Sequence, residues 1–199
     1  MTILPIAYFP PISYISLLAK GDVCLEACEN YQKQSWRNRC CILTANGVES
    51  LNVPVVHSGG TFRHPIAEIE VDYGKPWLQH HKRAIDSAYM SSAFFEYYRD
   101  GLYSILNARP ATLWELDSAI LDFFIKAYRL PEYSLTTEYI GPSEDIHPKH
   151  VDKIWAALES DASSSFSRPY FQVFSHKFGF VPNLSVMDLL FNEGPSFEF

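Results

Sequence analysis

"RNRCCILTANGVESLNVPVV", residues 37–56, is the stretch that sets the fold class. Two strand-like runs flank Ala45-Asn46-Gly47, and Asn-Gly accepts the positive φ that a tight turn demands. The pattern predicts antiparallel strands over residues 37–44 and 49–56, joined by that turn. A period of two then sets Arg37 and Arg39 side by side on one face of the outgoing strand, with Asn38 on the other.

Upstream, residues 3–9 predict a buried strand stopped by Pro10-Pro11, since proline lacks an N–H and restrains the residue before it. Residues 12–20 predict a short helix ended by Gly21, and residues 23–29 a second strand. Downstream, residues 66–73 alternate Ala67, Ile69, Val71 and Tyr73 with Glu68, Glu70 and Asp72, the pattern of a half-exposed strand with a solvated acidic face. Pro76 suits the first turn of a helix, and Trp77, His81, Ala84, Ile85 and Ala88 follow at helical spacing. Further helices are expected over residues 93–106 and 113–129. The second of these carries a capping box of Thr112 and Glu115. Residues 133–140 have strand character, 141–148 and 160–167 read as loops, and 150–158 as helical. Residues 170–180 are aromatic and β-prone, and Asn183 or Ser185 caps a last helix over 186–192. The expected fold is α/β, a single domain over residues 1–199. Its mixed sheet lies mostly in the N-terminal half, with the hairpin around 45–47, and its middle is helical.

The chain has 199 residues and a net charge of −7. A field of that sign repels nucleic acid and acidic membrane surfaces, so nucleic acid is not an expected partner. No run of about 20 apolar residues offers a membrane span. No Lys or Arg precedes Lys20, and Pro5, Pro10 and Pro11 interrupt the apolar start, which argues against a signal peptide. The expected compartment is cytoplasmic, so Cys24, Cys28, Cys40 and Cys41 read as buried thiols. Cys24 and Cys28 would share a strand face; Cys40 and Cys41 would point to opposite faces.

Against that acidic background, "ENYQKQSWRNRCC" (residues 29–41) gathers donors and cations. Arginine forks on an edge strand can simply prevent aggregation. They also recognise phosphate or carboxylate, with Tyr31 and Trp36 able to stack on a planar group and Lys33 and Asn38 adding donors. His80 and His81 are adjacent, hence about 100° apart on a helix. His81 falls on the apolar face and His80 at its edge, and either could move a proton. The histidines of "IHPKH" (residues 146–150) lack an obvious third ligand, so no metal is expected. No phosphate-loop, dinucleotide-binding, nucleophile-elbow or zinc-protease motif is present, and the sequence names no cofactor.

Five ordered blocks, "AYFPPISYISLLAKGD" (7–22), "ENYQKQSWRNRC" (29–40), "LNVPV" (51–55), "HHKRAIDSAYMSSAFFEYY" (80–98) and "FGFVPNLSVMDLLFNEGP" (178–195), together resemble the WbqC-like protein family of bacteria. Arg37-Asn38-Arg39 match that family's polar strand. Trp77, His81 (or His80), Ile85, Tyr89 and Phe95 match its helix. Some members sit among O-antigen genes, so the resemblance implies a transferase in surface-polysaccharide or acyl/aminoacyl-sugar synthesis. It assigns no catalytic residue. On that expectation Lys33, Arg37 and Arg39 hold an anionic small molecule: a nucleotide, a sugar phosphate or an acyl donor. Tyr8, Tyr31 and Trp36 frame a ring, and His80 or His81 moves the proton. The alternative is a non-catalytic ligand-binding or scaffold protein.

Overall fold

The hairpin forms around its predicted turn. In a computed structural model that describes residues 1–56, 64–140 and 168–196, strands β3 (Arg39–Thr44) and β4 (Gly47–Asn52) pair antiparallel. Gly47 takes φ 105 at the turn. A second, three-stranded sheet pairs β1 (Thr2–Leu4), β2 (Val23–Leu25) and β5 (Ser134–Leu135) in parallel, with β2 central. The α/β class thus carries both kinds of pairing.

Several strands are shorter than expected. β1 stops at Leu4 because Pro5 has no N–H for a ladder, and residues 5–9 run on as buried irregular chain. Residues 66–73 do not form a continuous strand. A 3-10 turn (Ile66–Glu68) gives way to single bridges, Val55 to Val71 and Glu70 to Thr112. The inside-outside pattern holds only at its centre, with Ile69 and Val71 buried and Glu68 and Glu70 exposed; Ala67 is exposed and Ile66 buried in its place. Only Ser134–Leu135 of residues 133–140 pairs as strand.

The helices are α1 (Ile12–Ala19), α2 (Trp77–Tyr89), α3 (Phe95–Ala108), α4 (Leu113–Tyr128), the one-turn α5 (Ser175–Phe178) and α6 (Val186–Glu193). Thr112 accepts from the Glu115 amide while Glu115 returns to the Thr112 amide, so α4 starts on the full capping box. Its face of Leu113, Leu116, Ile120, Leu121 and Phe124 recurs every three or four residues and enters the core. α6 is capped by Ser185 and buries Val186, Met187, Leu189, Leu190 and Phe191. Each such side chain contributes roughly 1.5–3 kcal/mol when fully buried.

Residues 170–180 depart furthest from expectation. They hold α5 instead of a strand, and Phe178 is exposed. The segment is tied down by polar contacts: Gln172 bonds the Val181 backbone through both ends of its amide. The expected helix over 150–158 and the loops at 58–60, 141–148 and 160–167 lie outside the described residues. Among the described residues no helix is long and apolar enough to cross a membrane.

The hairpin divides the interior. Cys40, Ile42 and Leu51 join the main core, whereas Cys41 and Leu43 pack on Leu184 in a smaller cluster. The adjacent thiols therefore do face opposite sides. Cys24 is also buried, but Cys28 is exposed, because β2 ends at Leu25 and the strand rule no longer governs position 28.

Candidate functional site

The donor-rich stretch turns through residues 33–38, so the strand expected from Arg37 begins only at Arg39. Residues 33–38 are non-strand, Gln34 takes φ 57, and the Asn38 amide closes on the Ser35 carbonyl at 3.2 Å. Arg37 is consequently not in register with Arg39. It is 3% exposed, and its fork closes on Glu29, with Nε 2.8 Å from Oε1 and a terminal nitrogen on Oε2. A buried arginine needs such a partner, because isolated charge in the interior is costly. Its bidentate edge is already occupied. The rings of Tyr8 and Trp36 are fully buried, and the Trp36 carbonyl accepts from the Tyr8 amide at 2.8 Å. Neither exposes a face on which a ligand could stack. Tyr31 is half-buried and Lys33 exposed.

Asn38 and Arg39 are different. Asn38 donates to the Val53 carbonyl at 3.1 Å, yet its buried Oδ1 has no hydrogen-bond partner. The buried Nε of Arg39 also lacks one. Among the described residues no carboxylate lies within ion-pair distance of Arg39. Buried polar groups are nearly always paired. Two neighbouring residues, one offering a donor and the other an acceptor, are left incomplete together.

The histidines stand on the other side of the hairpin. Arg39 lies opposite Asn52, Cys40 opposite Leu51 and Cys41 opposite Ser50. Opposed residues share a face, and faces alternate along the strand. Arg39 thus belongs to the Cys41 face, while α2 enters the core shared by Cys40 and Ile42 through Trp77 and Ile85. The expected convergence of both arginines on a histidine is not the arrangement found, because the turn withdraws Arg37 and strand parity turns Arg39 away.

His81 is buried and held on two sides. The Tyr8 hydroxyl is 2.9 Å from Nδ1, and the ring also bonds the Asn52 backbone. Burial, reinforced by neighbouring His80, pushes its pKa down to about 4. Burial holds the Tyr8 hydroxyl well above its usual range, so it stays protonated and can donate to a neutral ring. Trp77 packs 5.0 Å from His81 and Tyr73 5.7 Å from Trp77. His80 is 67% exposed, with Nε2 3.9 Å from Glu49.

Among the described residues four buried acids escaped notice in the sequence: Glu26, Glu29, Asp117 and Asp188. Glu26 accepts from the Thr136 hydroxyl and from the Cys28 and Ile140 amides. Glu29 neutralises Arg37. Asp188 accepts from Tyr170 at 2.5 Å and from Gln172 at 3.2 Å. Asp117 is fully buried, and neither carboxyl oxygen has a partner. Burial drives the Asp117 pKa well up, with the Arg37 charge opposing, which favours the neutral acid. Its signal was available: Asp117 interrupts the apolar face of α4 next to Leu116 and three before Ile120.

The small α/β domain thus carries, at the base of its hairpin, two consecutive residues whose buried polar atoms lack partners. The model of the WbqC-like protein family matches residues 6–165, and the chain belongs to that family. It is 29% identical over 216 residues to the uncharacterized protein Rv1507c of Mycobacterium tuberculosis (strain H37Rv), covering 94% of this chain and 90% of that one. No solved structure matches.

Proposed function

We propose that this WbqC-like protein binds a small anionic donor (a nucleotide, sugar phosphate or acyl donor) at Arg39 and Asn38, flanked by Tyr31 and Lys33. On this reading it transfers a group from that donor during synthesis of a bacterial surface polysaccharide. The observation that carries the binding is that Arg39 Nε and Asn38 Oδ1, on consecutive residues, are both buried without a hydrogen-bond partner. A guanidinium with no carboxylate partner is suited to phosphate or carboxylate. The Arg37–Glu29 pair braces the turn that presents both residues. Neither histidine of α2 reaches this site: His80 stands beside Glu49 across the hairpin from Arg39, and the His81 ring is engaged by Tyr8 and Asn52. A second reading, binding without chemistry, is favoured by the position of α2 on the far side of the hairpin from Arg39.

Thermal unfolding with nucleotides, nucleotide sugars, sugar phosphates and acyl-CoA tests the binding. A true ligand at 100 times its Kd stabilises by about 2.7 kcal/mol. Arg39→Lys keeps the charge but loses the fork, and should abolish most of that shift. Absence of a shift with every compound, or an equal shift in Arg39→Lys, rejects the assignment. Turnover of a bound donor separates transfer from binding alone.

A further inference from the structure

A cleft of about 510 Å³ opens where the loop before α2 meets the end of α3. Its walls carry Lys75, Lys82 and Arg109, with the amides of Gln79 and Asn107 and the ring of Tyr73. Among the described residues no Asp or Glu lines it. Three cations around one cavity stand out in a chain of net charge −7. The volume falls in the range of small-molecule sites, about 300–1,000 Å³.

These cations are placed but not neutralised. Lys75 comes within 3.6 Å of Asp72, across an exposed pair of the kind that contributes little. Lys82 holds the Asn107 side-chain oxygen and lies 5.3 Å from the Tyr103 ring centre, so its ammonium is steered while keeping its charge. The Arg109 guanidinium sits 5.6 Å from the Tyr73 ring centre, and the Tyr73 hydroxyl is anchored to the Pro110 carbonyl at 2.9 Å. Lys82 and Arg109 are thus positioned by neutral partners, which leaves their charge for a ligand. α2 begins at this wall with no side-chain cap and no acid in its first turn, so its amide ends add to the positive potential.

We propose that this cleft binds a small organic phosphate bearing two or more negative charges, at a site separate from Arg39. Two long-armed ammonium groups and a planar guanidinium suit a diphosphate better than a single carboxylate. The Gln79 and Asn107 amides offer bonds to ligand hydroxyls, and Tyr73 offers a face to an attached ring. Inorganic pyrophosphate supplies the charge without the organic part; a nucleoside diphosphate such as UDP supplies both.

Isothermal titration at fixed ionic strength tests this with pyrophosphate, UDP and uncharged uridine. The wild-type protein should bind UDP and pyrophosphate and ignore uridine. Arg109→Gln and Lys82→Gln should each weaken binding about ten- to hundredfold, and Arg83→Gln, at an exposed cation of α2 outside the cleft lining, should leave it unchanged. If Lys82→Gln unfolds at lower temperature through loss of the Asn107 bond, Lys75→Gln takes its place. Lack of binding by either anion, or undiminished affinity in the cleft variants, overturns the proposal. So does loss of binding in Arg39→Gln with none in the cleft variants. A protein that binds UDP here but shows no Arg39-dependent ligand would support the cleft and reject the function proposed above.

Discussion

Arg37 lays its guanidinium along the Glu29 carboxylate, with Nε 2.8 Å from Oε1 and both side chains shut away from water. Removing one partner strands a charge in the interior. Arg37→Met should therefore destabilise the fold by about 3–5 kcal/mol, and Glu29→Leu by a similar amount. The double substitution should recover much of the loss, since no unpaired charge remains. Urea unfolding of the three variants reads this directly. A single variant within 1 kcal/mol of wild type would sink the assignment.

His81 gives the protein an acid-sensitive core. Its pKa falls from about 6.5 in the unfolded chain to about 4 in the fold. Between those values the unfolded chain binds more protons, so stability rises with pH. The contribution, about 3 kcal/mol, is present above pH 6.5 and lost as pH falls through 4. His81→Phe should flatten that part of the stability profile, whatever it does to the absolute stability. An unchanged slope would show that the ring titrates normally.

Asp188 acts in the opposite direction. Burial raises its pKa from 3.8 to about 6, against the hydrogen bonds from Tyr170 and Gln172. Here the folded state binds more protons, so the contribution is present below pH 3.8 and lost as pH rises through 6. Asp188→Asn should gain stability relative to wild type on going from pH 4 to pH 7. Because the His81 and Asp188 slopes oppose each other, the wild-type profile near pH 5 should be flatter than either single variant's.

Gly194 ends α6 at φ 74, and an added Cβ would lie 2.7 Å from the Phe94 ring. Gly179 ends α5 at a similar φ of 72, with nothing within 4 Å of an added Cβ. Gly179→Ala should cost only the penalty of a backbone region almost confined to glycine, roughly 1–3 kcal/mol. Gly194→Ala should cost that plus a steric term of about 1–3 kcal/mol. Thermal or urea unfolding of the pair isolates the difference, and equal losses would mean that Phe94 moves aside freely.

Local rules made much of the fold legible. Asn46-Gly47 located the hairpin, Thr112 and Glu115 located the start of α4, and Ser185 was one of two caps offered for α6. The same rules failed at Arg37, because its partner, Glu29, is chosen by burial and not by strand period. They failed at residues 170–180 because aromatic content suggested strand where Gln172 and Asp188, sixteen residues apart, organise the chain through polar bonds. The cleft was hidden for a related reason. Lys75, Lys82 and Arg109 belong to a loop and two helices, and no spacing rule brings them together.

Cys28 and the two adjacent thiols on β3 offer three stages of chemical access. Cys28 is exposed and should react with a thiol reagent at once. Among the described residues Cys41 packs in a small cluster with Leu43, Leu184 and the flanking Phe174 and Val181. Its thiol, raised to about 11 by burial, should become reactive whenever that outer layer peels back. Cys40 is locked in the main core and should wait for global unfolding. Labelling timed by mass spectrometry would then separate a partial opening, which frees Cys41 alone, from the cooperative transition that frees its neighbour.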